Sequence, residues 1–321
     1  MNMNLINIKN ISMDNQLIFV KFPIIFPLIY GFVLYFFPNF EEELIILTIL
    51  LLAETHFGAT WPFFLDKTNN DYIKKKKFEL VAIPLVIIFG SILGFFLFKK
   101  TFLLIFFAAN VYHVTRQSFG VSKLYVKSDF EIKFQEYAIY SFNFLFFLVA
   151  LLRFYLPVIS EDNLIYLNIF IVLFFFVIFI LYLYKFGLTE NFFTLITGCI
   201  IFYPVCFVSN PVHAILMGVT MHYTQYLFLT HYVFNARELQ KDVTFKKIFN
   251  NKYVYTIIIY SIFMTSMSLF GKYDQSILKQ LILIPIIAQM IHFYLDSQLW
   301  KFSEKHNREN ILKFINQLKN I

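Results

Sequence analysis

Long apolar segments constrain this chain more than any motif does. A helix needs roughly 20 consecutive apolar residues to cross a bilayer, because backbone polar groups in hydrocarbon must bond to one another. The segments that meet this requirement lie at 17–37, 44–65, 79–98, 101–121, 137–157, 164–184, 192–209, 211–234, 253–271 and 277–300. The sequence therefore predicts one all-α transmembrane domain over 1–321, a bundle of about ten membrane-spanning helices. A short polar segment at 1–16 and a tail at 301–321 flank it.

Composition supports a membrane protein and excludes several soluble classes. Hydrophobic residues make up 59% of the 321 residues and charged residues only 15%, whereas soluble domains are roughly a quarter charged. The formal net charge of +7 comes from Lys and Arg in short segments between the apolar runs. A nucleic-acid-binding protein would gather such residues on one folded face, so we expect no nucleic-acid partner.

Two divisions between neighbouring runs rest on very few residues. One is the pair Lys99-Lys100, and the other is the short break at 209–211. A lysine pair is costly in the middle of a bilayer, and Pro211 suits the first turn of a helix. Both breaks are therefore predicted to end one helix and begin another.

The distribution of basic residues predicts the orientation of the bundle. If ten spans place both termini on one side, that side carries 21 of the 27 Lys and Arg residues, Lys21 included, and the other side carries five. Basic residues accumulate on the cytoplasmic side of membrane proteins. Both termini are therefore predicted to be cytoplasmic, in a multi-pass protein of the cell inner membrane.

Histidines are concentrated in the apolar runs. Six of the seven lie within or at the edge of a predicted span: His56, His113, His213, His222, His231 and His292. In the predicted topology, four of these lie within about 6 Å of one level along the membrane normal, at 1.5 Å rise per residue. Imidazoles at one height on several helices are what a metal site in a bundle requires. We therefore predict that the metal ligands are His56, His113, His222 and His292.

Polar residues cluster around these four histidines. The candidate catalytic groups are Arg116, Asp296 and Glu54. Arg116 would stabilise a developing anion or pair with Asp296. The two carboxyl groups would orient imidazoles or relay protons. His213 is expected to be an interfacial residue. The remaining candidates, expected to hydrogen-bond the ligands from a second layer, are Gln225, Gln117, Asn110 and His231.

Three short stretches resemble the Brp/Blh family of integral membrane carotene-cleaving dioxygenases. They are His-Phe-Gly at 56–58, His-Val-Thr-Arg-Gln at 113–117 and His-Phe-Tyr-Leu-Asp at 292–296. An early Pro-His-Gly element of that family is absent here. The resemblance implies a non-haem iron centre, O₂ as co-substrate and a long isoprenoid substrate such as a carotenoid.

Several functions remain open at this stage. The leading hypothesis is a membrane non-haem iron oxygenase acting on an apolar or lipid-soluble substrate, with zinc, copper or non-covalent haem as other possible cofactors of the same histidines. The same polar residues would also serve a transporter or a proton or ion channel, and a lipid-modifying transferase is a further alternative. The His-box desaturases are disfavoured, because the closest His pairs in the spans are nine residues apart.

Overall fold

The computed structural model describes residues 15–66, 69–157, 159–239, 252–273 and 277–318, which form helices and turns and contain no strand. The α-helices are α1 (Ile25–Phe36), α2 (Glu41–Thr48), α3 (Glu54–Gly58), α4 (Trp61–Phe64), α5 (Asn70–Lys75), α6 (Ile83–Leu97), α7 (Lys99–Tyr125), α8 (Asp129–Ala150), α9 (Glu161–Phe186), α10 (Glu190–Ile200), α11 (Pro211–Leu239), α12 (Lys252–Tyr273), α13 (Leu283–Leu299), α14 (Lys305–Asn307) and α15 (Lys313–Leu318). The all-α prediction is thereby confirmed.

Six of the described helical segments are long and apolar enough to cross a membrane, which is the character of an integral membrane protein. They are Pro38–Phe64, Phe78–Leu97, Asp129–Tyr155, Asn163–Phe186, Lys252–Tyr273 and Leu278–Leu299. Two further helices, α7 and α11, have 27 and 29 residues but carry more polar side chains. These two polar helices hold His113 and His222.

Both weakly supported divisions of the apolar runs are confirmed. Helix α6 ends at Leu97, and α7 begins at Lys99. Helix α11 begins at Pro211, where the missing proline N–H would have no helical partner in any case. The side chain of Asn210 accepts a hydrogen bond of 2.9 Å from the backbone N–H of Val212, so this helix start is also capped.

Two predicted runs are not continuous helices. In the first run, a π-helical turn at Leu17–Lys21 precedes α1, and Pro23 lies between them. In the run predicted at 192–209, α10 ends at Ile200. Pro204 explains that end, because a proline lacks the N–H that would bond to residue 200 and its ring clashes with that carbonyl. The seventh run is thus an 11-residue helix followed by a short 3₁₀ turn.

The described chain divides into two compact units. The first contains the described residues of Met1–Ile45 and Val111–Gln225. Its polar contacts include the ion pair between the buried Lys21 and the partly exposed Glu190, at 2.7 Å. Asn143 also donates a bond of 2.8 Å to the carbonyl of Gly198, linking α8 to α10.

The second unit contains the described residues of Ile46–Asn110 and Tyr226–Ile321. Phe95, Phe102 and Leu283 form one of its apolar clusters, between α6, α7 and α13. A π-helical turn at Ile49–Ala53 leads directly into α3. Residues 1–14, 240–251 and 319–321 lie outside the described residues, so the predicted polar segment at 1–16 is described only at 15–16.

Candidate metal centre

Two of the predicted ligands lie side by side in the second unit. His56 on α3 is completely buried, and His292 on α13 is 1% exposed. Their ring centroids are 4.7 Å apart, with the rings inclined by 66°. Two imidazoles that come this close from separate helices, in apolar surroundings, form the beginning of a metal site.

A chain of hydrogen bonds connects His292 to a buried carboxyl group. The hydroxyl of Tyr226 donates to Oδ1 of Asp296. The Thr60 hydroxyl lies 2.8 Å from the Tyr226 hydroxyl and 2.9 Å from Nδ1 of His292. Asp296 also accepts a bond of 2.8 Å from the indole N–H of Trp300. Asp296 is therefore connected to its histidine through two hydroxyl groups, rather than only through its position one turn along α13.

The direction of this chain determines which nitrogen of His292 carries its proton. An ionised carboxylate only accepts hydrogen bonds, so the Tyr226 hydroxyl donates a hydrogen bond to Asp296 and accepts one from the Thr60 hydroxyl. Thr60 in turn accepts from Nδ1–H of His292. The lone pair of this imidazole is then on Nε2, which is the atom that a metal would bind. Metal-binding histidines are commonly held in one tautomer in this manner.

A second close pair of histidines lies in the first unit. His113 on α7 is 6% exposed and His222 on α11 is 2% exposed. Their ring centroids are 5.5 Å apart, and the rings are nearly perpendicular. The four histidines predicted to share one depth thus form two close pairs, His56 with His292 and His113 with His222.

Each of the two close pairs brings two buried imidazoles together from different helices of one unit. Neutral imidazole nitrogens suit iron, copper and zinc. The donor set therefore fits a transition metal, and it contains no group that would select one of these metals.

The carboxyl and amide residues predicted around the ligands have other partners. Glu54 is 1% exposed and its Oε1 accepts a bond of 3.3 Å from Gln289. Gln225 donates a bond of 2.6 Å to the backbone carbonyl of Val20, so it connects α11 to the π-helical turn at Leu17–Lys21. Asn110 and Gln117 are half-buried, and no hydrogen bond from either to a histidine is present among the described residues.

The other predicted polar residues are exposed or form hydrogen bonds with residues other than the four predicted ligands. Arg116 has an exposed side chain on α7. His231 is also exposed, and its Nε2 lies 3.0 Å from the amide of Asn235. His213, expected at an interface, has both ring nitrogens engaged: Nδ1 lies 2.7 Å from the Tyr30 hydroxyl, and Nε2 lies 3.0 Å from Glu41.

Sequence reasoning missed Thr60, Tyr226 and Trp300. A signal existed for all three, because Thr60 follows His56, Tyr226 follows His222 and Trp300 follows Asp296 by four residues, which places each pair on one helix face. For Tyr226 this spacing pointed to His222, whereas its hydroxyl donates to Asp296.

Comparison with known proteins adds no identification. No protein-family model matches this chain, and no curated protein and no solved structure matches it either.

Proposed function

We propose that this protein is an intramembrane metalloenzyme, a non-haem iron oxygenase that acts on an apolar lipid or isoprenoid substrate. The observation that carries the proposal is the hydrogen-bond chain from Asp296 through Tyr226 and Thr60 to Nδ1 of His292. Burying a carboxyl group and two hydroxyl groups is costly unless they are bonded. Such a network, ending on a histidine beside His56, is the support that a bound metal requires.

The residues present define how the metal would be held. The proposed ligands are the four predicted histidines: His56 and His292 form one close pair, and His113 and His222 form the other. An iron ion held by these imidazoles would supply open coordination positions and the capacity to activate O₂. Asp296, Tyr226 and Thr60 hold the His292 ring in place and keep its proton on Nδ1.

The proposed topology places this centre inside the membrane. The ten proposed crossings follow from the apolar runs, and the cytoplasmic position of both termini follows from the split of basic residues between the two sides. A substrate that is insoluble in water would then reach the buried histidines laterally from the bilayer of the inner membrane.

Metal analysis of the purified protein tests the proposal. We expect about one iron ion per chain in the unmodified protein. The bound iron should fall at least about tenfold in each of three variants, His56→Ala, His113→Ala and His292→Ala. His231→Ala is the matched control, because this histidine is exposed and bonded to Asn235. Substoichiometric iron, copper and zinc in the unmodified protein would disprove a metal centre.

The same sample separates the iron hypothesis from its alternatives. Stoichiometric zinc or copper without iron would retain the site and reject the oxygenase. A Soret absorption band would indicate non-covalent haem. Ion or proton flux in proteoliposomes that does not depend on metal would favour the channel or transporter, in which the buried histidines line a polar path.

A further inference from the structure

An arginine without an ion pair lies on the surface of the first unit. The side chain of Arg116 on α7 is exposed, and within the described part of the chain it takes part in no hydrogen bond or ion pair. The proposed metal centre gives this residue no role. A charged side chain on a helix of a membrane protein usually has one, because burying an unpaired charge in hydrocarbon is costly.

The packing of α7 against α8 determines the level of Arg116. Ser122, near the end of α7, donates a hydrogen bond to Gln135, near the start of α8. The rings of Phe119 and Tyr140 also meet, with centroids 6.1 Å apart. A short loop joins the two helices, so they run side by side in opposite directions. Arg116 comes six residues before Ser122 and therefore lies about 9 Å farther from this loop.

The charges on α8 indicate where the membrane interface lies. Helix α8 is part of Asp129–Tyr155, one of the six segments that can cross a membrane. Glu136 directly follows Gln135, and no charged residue comes after it in α8. Tyr137 is 73% exposed, as is typical of tyrosines at a membrane interface. Arg116 is thus about 7.5 Å deeper than Glu136, from where its long side chain can reach the interface.

The surface next to Arg116 is basic and open. Gly120 and Lys123 follow Arg116 by four and seven residues and therefore lie on the same face of α7. Both are exposed. A Cβ added to Gly120 would have no atom within 4 Å, so nothing fills the surface between the two cations. Such a surface suits a phosphate group, which an arginine binds through two parallel hydrogen bonds.

The neighbouring charges on α8 decide which headgroup is favoured. The charges of Arg116 and Glu136 both act on the hydroxyl of Tyr140, so Glu136 would repel an anion in this region. Lys133 is exposed and precedes Glu136 by three residues, so its charge offsets that of the carboxylate. The surface therefore remains positive around Arg116 and Lys123. This favours a headgroup with a net negative charge over one that also carries an ammonium group.

We propose that Arg116 and Lys123 bind the phosphate group of an anionic phospholipid. The acyl chains would then lie against apolar surface deeper in the membrane, where Tyr112 of α7 and Phe144 of α8 are 58% and 60% exposed. Both residues lie farther from the loop than Arg116 does. The inference goes beyond the proposed metal centre, and lipid binding at Arg116 needs no metal. The two proposals are therefore tested by separate measurements.

Native mass spectrometry of the full chain in mild detergent measures this binding. The protein is titrated with phosphatidylglycerol, phosphatidylethanolamine and phosphatidylcholine of identical acyl chains. We expect phosphatidylglycerol to bind about fivefold more tightly than the two zwitterionic lipids. Equal binding of all three would overturn the proposal. A preference for phosphatidylethanolamine would also overturn it, because the headgroup contact would then belong to Glu136.

Glycerol 3-phosphate distinguishes a lipid from a free phosphate compound. It carries the same phosphate group without acyl chains, so it should not displace phosphatidylglycerol at equal concentration. Displacement as effective as that by a second phospholipid would reject the lipid as the ligand.

Variants locate the binding site on α7. Arg116→Gln should weaken phosphatidylglycerol binding about tenfold. Gly120→Leu keeps every charge but fills the open surface, so it should weaken binding as well. Both positions are exposed, and neither change disturbs the interior. Unchanged binding in both variants would overturn the assignment.

Lys127→Gln is the matched control for the loss of charge. Lys127 is exposed in the loop between α7 and α8, so this variant removes one positive charge on the same side of the membrane but outside the proposed site. We expect it to retain the binding of phosphatidylglycerol. A loss as large as that in Arg116→Gln would mean that only the overall surface charge attracts the lipid, which would overturn the proposal.

Discussion

At the residue scale, the Thr60 hydroxyl is the link on which the orientation of His292 depends. It lies between the Tyr226 hydroxyl and Nδ1 of His292, 2.8 Å and 2.9 Å away. Thr60→Val keeps the shape of the side chain and removes this link. We expect metal affinity to fall about 10- to 100-fold, as is typical when a partner of a metal-binding histidine is lost. Competition with a chelator of known affinity measures it.

Thr55→Val is the control for this substitution. Thr55 is on the same helical segment, and its hydroxyl donates only to backbone carbonyls one turn earlier, at 2.7 Å for Leu51. The control should leave metal affinity unchanged. Equal affinities in the Thr60 variant and the unmodified protein would show that the hydrogen-bond chain does not orient the metal-binding nitrogen.

His306 in the tail predicts a pH dependence of stability. It stacks on Tyr72 with ring centroids 4.2 Å apart, and its Nε2 lies 2.6 Å from Oδ1 of Asn69. Burial, and secondarily the positive charge of Arg237, lower the pKa of His306 below its usual 6.5, although Glu309 opposes this. A histidine pKa that is lower in the folded state means that the unfolded state binds more protons. The contribution of His306 to stability is therefore fully present above the pKa that this histidine has in the unfolded chain, and it is lost as the pH falls below that value.

Thermal unfolding at several pH values measures this effect. The melting temperature should fall as the pH drops from about 7.5 to about 5.5. In His306→Gln, which cannot take up a proton, the fall should be smaller. A variant with the same pH dependence as the unmodified protein would assign the effect to other groups.

At the element scale, the helices and their ends could be predicted better than their mutual contacts. Most helix positions followed from the apolar runs and from prolines at helix starts. The prediction was wrong in the run 192–209, where Pro204 ends α10 early. Depth along a helix follows from counting residues, so the pairing of His56 with His292 was within reach of the sequence. Rotation about the helix axis does not follow from counting. For this reason the exposed positions of Arg116 and His231 were missed.

Gly218 on α11 tests a helix contact that the sequence does not reveal. A Cβ at this position would overlap the backbone carbonyl oxygen of Ile201, just beyond the end of α10. Backbone atoms cannot move away as the end of a flexible side chain can. Gly218→Ala should therefore lower the free energy of unfolding by about 1–3 kcal/mol or more, as overpacking usually does.

Gly90→Ala is the matched substitution on α6. No atom lies within 4 Å of a Cβ added there. Because alanine favours a helix over glycine, this change should stabilise by about 0.5–1 kcal/mol. Denaturant unfolding in mild detergent compares the two variants. Equal effects would mean that the close approach of α11 to Ile201 does not contribute to stability.

At the scale of the whole molecule, the distribution of basic residues predicts how the protein is oriented in the membrane. The positions of the helices alone do not determine this orientation. The prediction places Lys75 and Lys305 in the cytoplasm and Glu43, between the first two runs, on the opposite side. All three side chains are exposed, and the two natural cysteines, Cys199 and Cys206, are buried. Single cysteines introduced at these positions should therefore react without interference from the natural ones.

A membrane-impermeant maleimide applied to intact bacterial cells should label Glu43→Cys. It should label Lys75→Cys and Lys305→Cys only after the inner membrane has been opened. Labelling of Lys305→Cys but not Lys75→Cys in intact cells would mean an odd number of crossings between them. The level shared by the four histidines would then no longer follow from counting residues, because it assumes that their helices run in the same direction. The close pairs His56–His292 and His113–His222 would remain, since they rest on ring distances rather than on orientation.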